Sequence, residues 1–104
     1  MPALAGDYDL RPLEALALDG ARSAQTGVCR IGAGRRSPEA GFRTSGRHEI
    51  AMLLKGRVRV DLPDGTQRIV VAPSVIVSSP AEDHATTALE DADIFYVLVD
   101  PPGR

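Results

Sequence analysis

Apolar positions in this chain occur either at every second residue or in short unbroken runs, with turn-forming residues between them. The most informative stretch is RTSGRHEIAMLLKGRVRV, from Arg43 to Val60. After Glu49 the run is continuously apolar, which predicts a strand over residues 48–54 that is buried on both faces. Lys55 and Gly56 predict a hairpin turn. RVRV then alternates cleanly, with Val58 and Val60 facing inward and Arg57 and Arg59 outward. Pro63-Asp64-Gly65 is the best turn in the chain, because Asp-Gly supplies the positive φ that a tight hairpin needs. Residues 67–72 form the expected returning strand.

The flanking segments extend the pattern. Residues 26–34 read as a strand ending in glycines, and residues 35–42 as a loop by their Ser-Pro and Gly content. VIVSS follows Pro73, then the loop PAEDH ending on His84, then ATTAL. Glu90-Asp91 marks a turn before the last strand, DIFYVLVD. Leu10, Leu13, Leu16 and Leu18 fit partly a helical turn after Pro12 and partly a strand over 15–18. Residues 1–25 are therefore expected to be an irregular arm with a short strand, and residues 26–104 a β-domain. Seven or eight short strands with regularly spaced turns are the signature of a sandwich or barrel. No long helix and no internal repeat is expected.

Composition narrows the picture. With 104 residues, 43% hydrophobic and 25% charged, the chain reads as one soluble globular domain. Ten glycines, eight prolines and many valines favour an all-β architecture. The net charge of −2 is unevenly spread. From Arg30 to Arg59 there are eight basic residues against Glu39 and Glu49, whereas from Asp61 onward there are eight acids against Arg68 and Arg104. Solvated loops and strand faces account for most such charges. A basic rim that draws in an anionic small molecule is the functional reading. Nucleic acid is not an expected partner, because Tyr8, Phe42, Phe95 and Tyr96 do not interleave with the basic run. The single cysteine, Cys29, excludes an internal disulfide and fits a reducing cytoplasm. Lying in VCRI, it reads as a small buried hydrophobe. No signal peptide is read at the N-terminus, and no apolar run approaches the ~20 residues of a membrane span, so the expected location is cytoplasmic.

Strand alternation places Glu49, Ala51 and Leu53 on one face and His48, Ile50 and Met52 on the other. A charged Glu49 beside an apolar run is costly unless it is paired, hydrogen-bonded or metal-bound. It therefore stands either at the wet end of the strand or inside a functional cavity.

The spacing resembles the cupin family. The first cupin motif runs histidine, one residue, histidine, three or four residues, glutamate, six residues, glycine. Glu49 and Gly56 stand at its glutamate and glycine. The histidine positions hold Arg43 and Ser45 in one register, Phe42 and Thr44 in the other. The second motif, laid on Pro73, places Ser79 at the proline, Ala81 at the second glycine, His84 at the histidine and Ala88 at the asparagine. Sixteen residues separate Gly56 from Pro73. The resemblance covers roughly residues 26–100 and implies a cupin-type jelly-roll β-barrel, a double-stranded β-helix.

The resemblance also frames the chemistry. A typical cupin metal site has three imidazoles and one carboxylate, and here only Glu49 and His84 match. With a third ligand from water, or from His48 recruited through a bulge at the start of its strand, they would form the ligand set for iron, manganese, nickel or zinc. Without a metal, the Arg43 guanidinium would bind a carboxylate or phosphate through two parallel hydrogen bonds, with Ser45 adding a hydroxyl and Glu49 or His84 acting as acid or base. An internal Arg43–Glu49 ion pair is the third possibility, as the remnant of a lost site. The leading expectation is a small-molecule-binding cupin, with an anionic metabolite in the pocket and little or no metal dependence. The alternative is a metal-dependent enzyme of dioxygenase, isomerase or lyase type. A homodimer is expected, because HEIAMLL and IFYVLV offer more apolar face than one small barrel interior hides.

Overall fold

Period-two alternation and frequent turns are realised as strands. The computed structural model describes residues 8–17, 23–44, 46–80 and 82–101. Among them run β1 (Tyr8–Ala17), β2 (Ser23–Ile31), β3 (Arg36–Ser37), β4 (His48–Lys55), β5 (Arg57–Asp61), β6 (Gln67–Val71), β7 (Ser74–Ser78), β8 (Ala85–Ala88) and β9 (Ala92–Val99). Every pairing is antiparallel. One sheet has the order β1-β2-β9-β4-β7 and the other β3-β8-β5-β6. With β1 set aside, the remaining eight strands alternate between the sheets, apart from the β5–β6 hairpin, in a jelly-roll order. The ladders stay within the two sheets, so among the described residues hydrogen bonds do not close a continuous barrel wall. No helix here is long and apolar enough to cross a membrane.

The core lies between the sheets. Ile31 and Leu53 reach in from the first sheet and meet Val58, Val60 and Ala88 from the second. The RVRV alternation is as the pattern predicts: Val58 and Val60 are buried, while Arg57 is exposed and Arg59 half-buried. Pro63-Asp64-Gly65 closes the β5–β6 hairpin, where the Gly65 N–H donates to the Leu62 carbonyl at 3.0 Å and the Thr66 N–H to Asp64 Oδ1 at 2.8 Å.

Three expectations are corrected. Residues 48–54 are not buried on both faces: Ile50 and Met52 are each 41% exposed and Leu54 40%. Their face of the sheet is left open, while Leu53 on the other face is 1% exposed. Lys55-Gly56 is not a hairpin turn. β4 pairs with β7 and β9, and β5 with β6 and β8, so Gly56 is the corner where the chain leaves one sheet for the other. Its φ is +92°, and a Cβ there would overlap the Asp91 carbonyl oxygen, so the corner accepts glycine alone without strain. The N-terminal segment is a longer strand than expected. β1 pairs with β2 along its length, irregular only between Pro12 and Ala15. Pro12 is tolerated because β1 is an edge strand, where an absent N–H breaks no second ladder.

Candidate functional site

Residues directly opposite one another in an antiparallel ladder share a face. Glu49 faces Ser78 of β7 and Leu98 of β9; Ala51 faces Ile76 and Tyr96. This row lines one wall of a cavity of about 150 Å³ between the sheets, with Val58, Val60 and Thr86 on the other wall. Most of the lining is aliphatic. The polar groups are few, and they gather around Glu49, His84 and Arg43.

Arg43 and His84 meet through their backbones. The Arg43 N–H donates to the His84 carbonyl at 2.9 Å, and the His84 N–H to the Arg43 carbonyl at 3.2 Å. Beside this bridge the Thr44 hydroxyl donates to Asp83 Oδ1. The segments preceding β4 and β8 are thereby tied together at one end of the cavity. His84 Nε2 then stands 3.7 Å from Glu49 Oε1, with the two side chains 18% and 20% exposed. That separation is too long for a hydrogen bond but close enough for an ion pair when the imidazole carries a proton. His84 Nδ1 is buried and has no hydrogen-bond partner among the described residues.

Arg43 lines the same cavity and donates from Nη2 to Ser37 Oγ at 3.0 Å. Tyr8 Oη lies 3.3 Å from the same hydroxyl. The Arg43–Glu49 ion pair weighed from the sequence is not formed; the group opposite Glu49 is the His84 imidazole. Most of the basic run is neutralised by acids: Arg30 by Asp91 and Asp93, Arg47 by Asp100 and Arg57 by Glu90, all distant in sequence, and Arg59 by Asp61 two residues on. The charge asymmetry of the sequence thus folds largely onto itself. Among the described residues Arg43 has no carboxylate partner, and it is the cavity's one guanidinium.

Two further wall residues escaped the sequence reading as site residues. Tyr96, 8% exposed, lies opposite Gly27, where a Cβ would collide with its Cζ and Oη. Glycine at that position makes room for the phenol. Burial raises the Tyr96 hydroxyl above its ordinary range, with Cys29, Glu49 and Tyr8 adding and Arg43 opposing. Cys29 is buried as expected and also lines the cavity. Burial pushes its thiol from 9.0 up to about 11, with Arg43 opposing and Asp9 and Glu49 adding, so it is a protonated thiol at neutral pH.

The expected metal set is not assembled. The β4–β9 ladder runs without a shift through His48 and Glu49; its irregularity falls between Leu53 and Lys55. With no bulge at the start of β4, His48 stays exposed on the face opposite Glu49. Ser45 lies outside the described residues. Among those described, no group of three or more His, Cys, Asp or Glu side chains is placed to hold a metal ion. Glu49 and His84 supply two donors, short of the three or four that protein metal sites use, and a guanidinium shares their cavity. These residues do not fit a cupin metal centre.

No family model matches the sequence, and no curated protein matches it. Solved structures do. A conserved protein of unknown function from Streptococcus pyogenes is 21% identical, with a TM-score of 0.72 over 92% of this chain and 76% of its own. A cupin superfamily protein from Desulfitobacterium hafniense is 14% identical, with a TM-score of 0.73 over 95% of this chain and 84% of its own. Ectoine synthase from P. lautus is 15% identical, with a TM-score of 0.62 over 77% of this chain and 55% of its own. At such identities the likeness concerns the fold, and the fold of this chain is that of the cupin superfamily.

Proposed function

We propose that this protein binds a small organic anion, a carboxylate, with its apolar body in the cavity and its charged end on Arg43. The observation that carries this reading is the pairing pattern. Five neighbouring arginines are matched by carboxylates, whereas the Arg43 side chain, beside an aliphatic cavity, hydrogen-bonds only the neutral Ser37 among the described residues. A guanidinium with spare donors takes a carboxylate through two parallel hydrogen bonds. The volume sets the size class, since an apolar cavity of ~150 Å³ accommodates benzene. A benzoate-sized or short branched aliphatic acid therefore matches both ends of the site.

Glu49 and His84 give this site its acid–base capacity. The pair sits at the polar end of the cavity, where a proton can pass between either group and a bound molecule over a short distance. Such a pair serves proton transfer in an isomerisation or lyase reaction without a metal. The fold neighbours include an enzyme, so this scaffold is compatible with catalysis as well as binding.

The test is thermal unfolding of the protein with millimolar benzoate or isovalerate, beside the same titration on Arg43→Ala. A rise in Tm of several degrees, abolished in the variant, supports the reading. No rise with the native protein, or an equal rise in both, overturns it.

A further inference from the structure

We propose that Tyr96 and Gly27 together set the size of the acid this cavity admits, a single ring or a short branched chain. The ligand's charge rests on the carboxylate reading above, whereas its size follows from one row of side chains. Across the first sheet that row runs Ile76, Ala51, Tyr96, Gly27, from β7 through β4 and β9 to β2. Tyr96 thus stands between the two smallest residues of the row. Its phenol lies over Gly27, where a Cβ would overlap Cζ and Oη.

The backbone does not demand glycine at this position. The φ of Gly27 lies outside the left-handed region, and β2 is paired on both sides. Glycine inside such a strand weakens it and marks a close approach. Here the group that approaches is the Tyr96 ring, which is 8% exposed.

A ring laid over Gly27 leaves Ala51 bare on its other side, and Ala51 lines the cavity. The neighbouring rows on the same face carry larger side chains, Glu49 and Leu98 on one side, Leu53 and Ile94 on the other. A ligand body seated on Ala51 is therefore enclosed by Tyr96, Ile76 and these two rows, with Glu49 at the polar end. Interiors are close-packed, so a second fused ring finds no room unless Tyr96 gives way. A shorter side chain at position 96 would uncover Gly27 and widen the seat by one strand spacing, roughly 4.8 Å. A methyl at position 27 would instead drive the phenol back over Ala51 and fill the seat.

Thermal unfolding with benzoate, naphthoate and the neutral ring benzene tests the proposal. In the native protein benzoate and benzene should each raise Tm by several degrees, and naphthoate should not. Gly27→Ala, with an unchanged far-UV CD spectrum, should lose both responses, and Tyr96→Leu should gain a response to naphthoate. Ala51→Leu, which fills the seat directly, serves if Gly27→Ala misfolds. Should benzene follow this pattern while benzoate has no effect, the size rule stands and the carboxylate reading fails. A native response to naphthoate equal to that for benzoate overturns the proposal. So does a benzene response that survives Gly27→Ala and Ala51→Leu, or is missing from the native protein.

Discussion

His84 Nε2 lies 3.7 Å from Glu49 Oε1, inside a cavity that is otherwise mostly aliphatic. A pair placed there for chemistry adds little to the stability of the fold, because the cost of desolvating both groups offsets their attraction. A double-mutant cycle with Glu49→Gln and His84→Asn should give a coupling energy of about 1 kcal/mol or less in urea unfolding. A coupling above about 3 kcal/mol would make the pair a structural clamp.

Arg43 and Ser37 should contribute unequally to ligand affinity. A hydrogen bond to a charged group contributes about 1.5–3 kcal/mol and a neutral one about 0.5–1.5 kcal/mol. Calorimetric titration with benzoate should therefore show affinity falling roughly 10- to 100-fold for Arg43→Ala, and only a few-fold for Ser37→Ala. Equal losses would mean that the anionic end does not rest on the guanidinium.

Two glycines with nearly the same backbone angle should respond differently to alanine. Gly56 has a φ of +92° and Gly65 of +91°. At Gly65 the space around a new Cβ is open, so only the left-handed penalty of about 1–2 kcal/mol applies. At Gly56 the Cβ meets the Asp91 carbonyl, which belongs to rigid backbone, so Gly56→Ala should cost about 1–3 kcal/mol more. Thermal unfolding of the two variants side by side measures the difference.

Alkaline pH should loosen the fold through Cys29. Its thiol ionises near 9.0 in the unfolded chain and near 11 in the native state. Below pH 9 both states hold the proton; between pH 9 and 11 the unfolded chain releases it first, so stability falls as pH rises. The raised Tyr96 hydroxyl acts in the same direction. Cys29→Ala should flatten the loss across this window, read as the midpoint of urea unfolding against pH.

What the residues disclosed by themselves depended on range. The β5–β6 hairpin was legible because alternation and Asp-Gly turn chemistry are local. The convergence of Glu49 and His84 was legible through motif spacing. The outer face of β4 was misread because a continuous apolar run looks the same whether or not its second face is covered. Lys55-Gly56 reads as a hairpin turn because a glycine marks a reversal without saying whether the strands on either side pair or part into two sheets. Ser37 and Tyr96 stayed hidden because register with distant residues places them: Ser37 lies opposite Thr86, and Tyr96 opposite Gly27. The basic rim dissolved for the same reason, since Arg57 and Arg47 find their carboxylates on Glu90 and Asp100.

Site-resolved NMR tests the central claim most directly. Benzoate titrated into the isotope-labelled protein should shift the signals of Arg43, Glu49, Ser78, His84 and Tyr96 together, along one saturable curve. Shifts confined to the exposed arginines of the second sheet, or none at millimolar ligand, would contradict the claim that this cavity holds an organic anion.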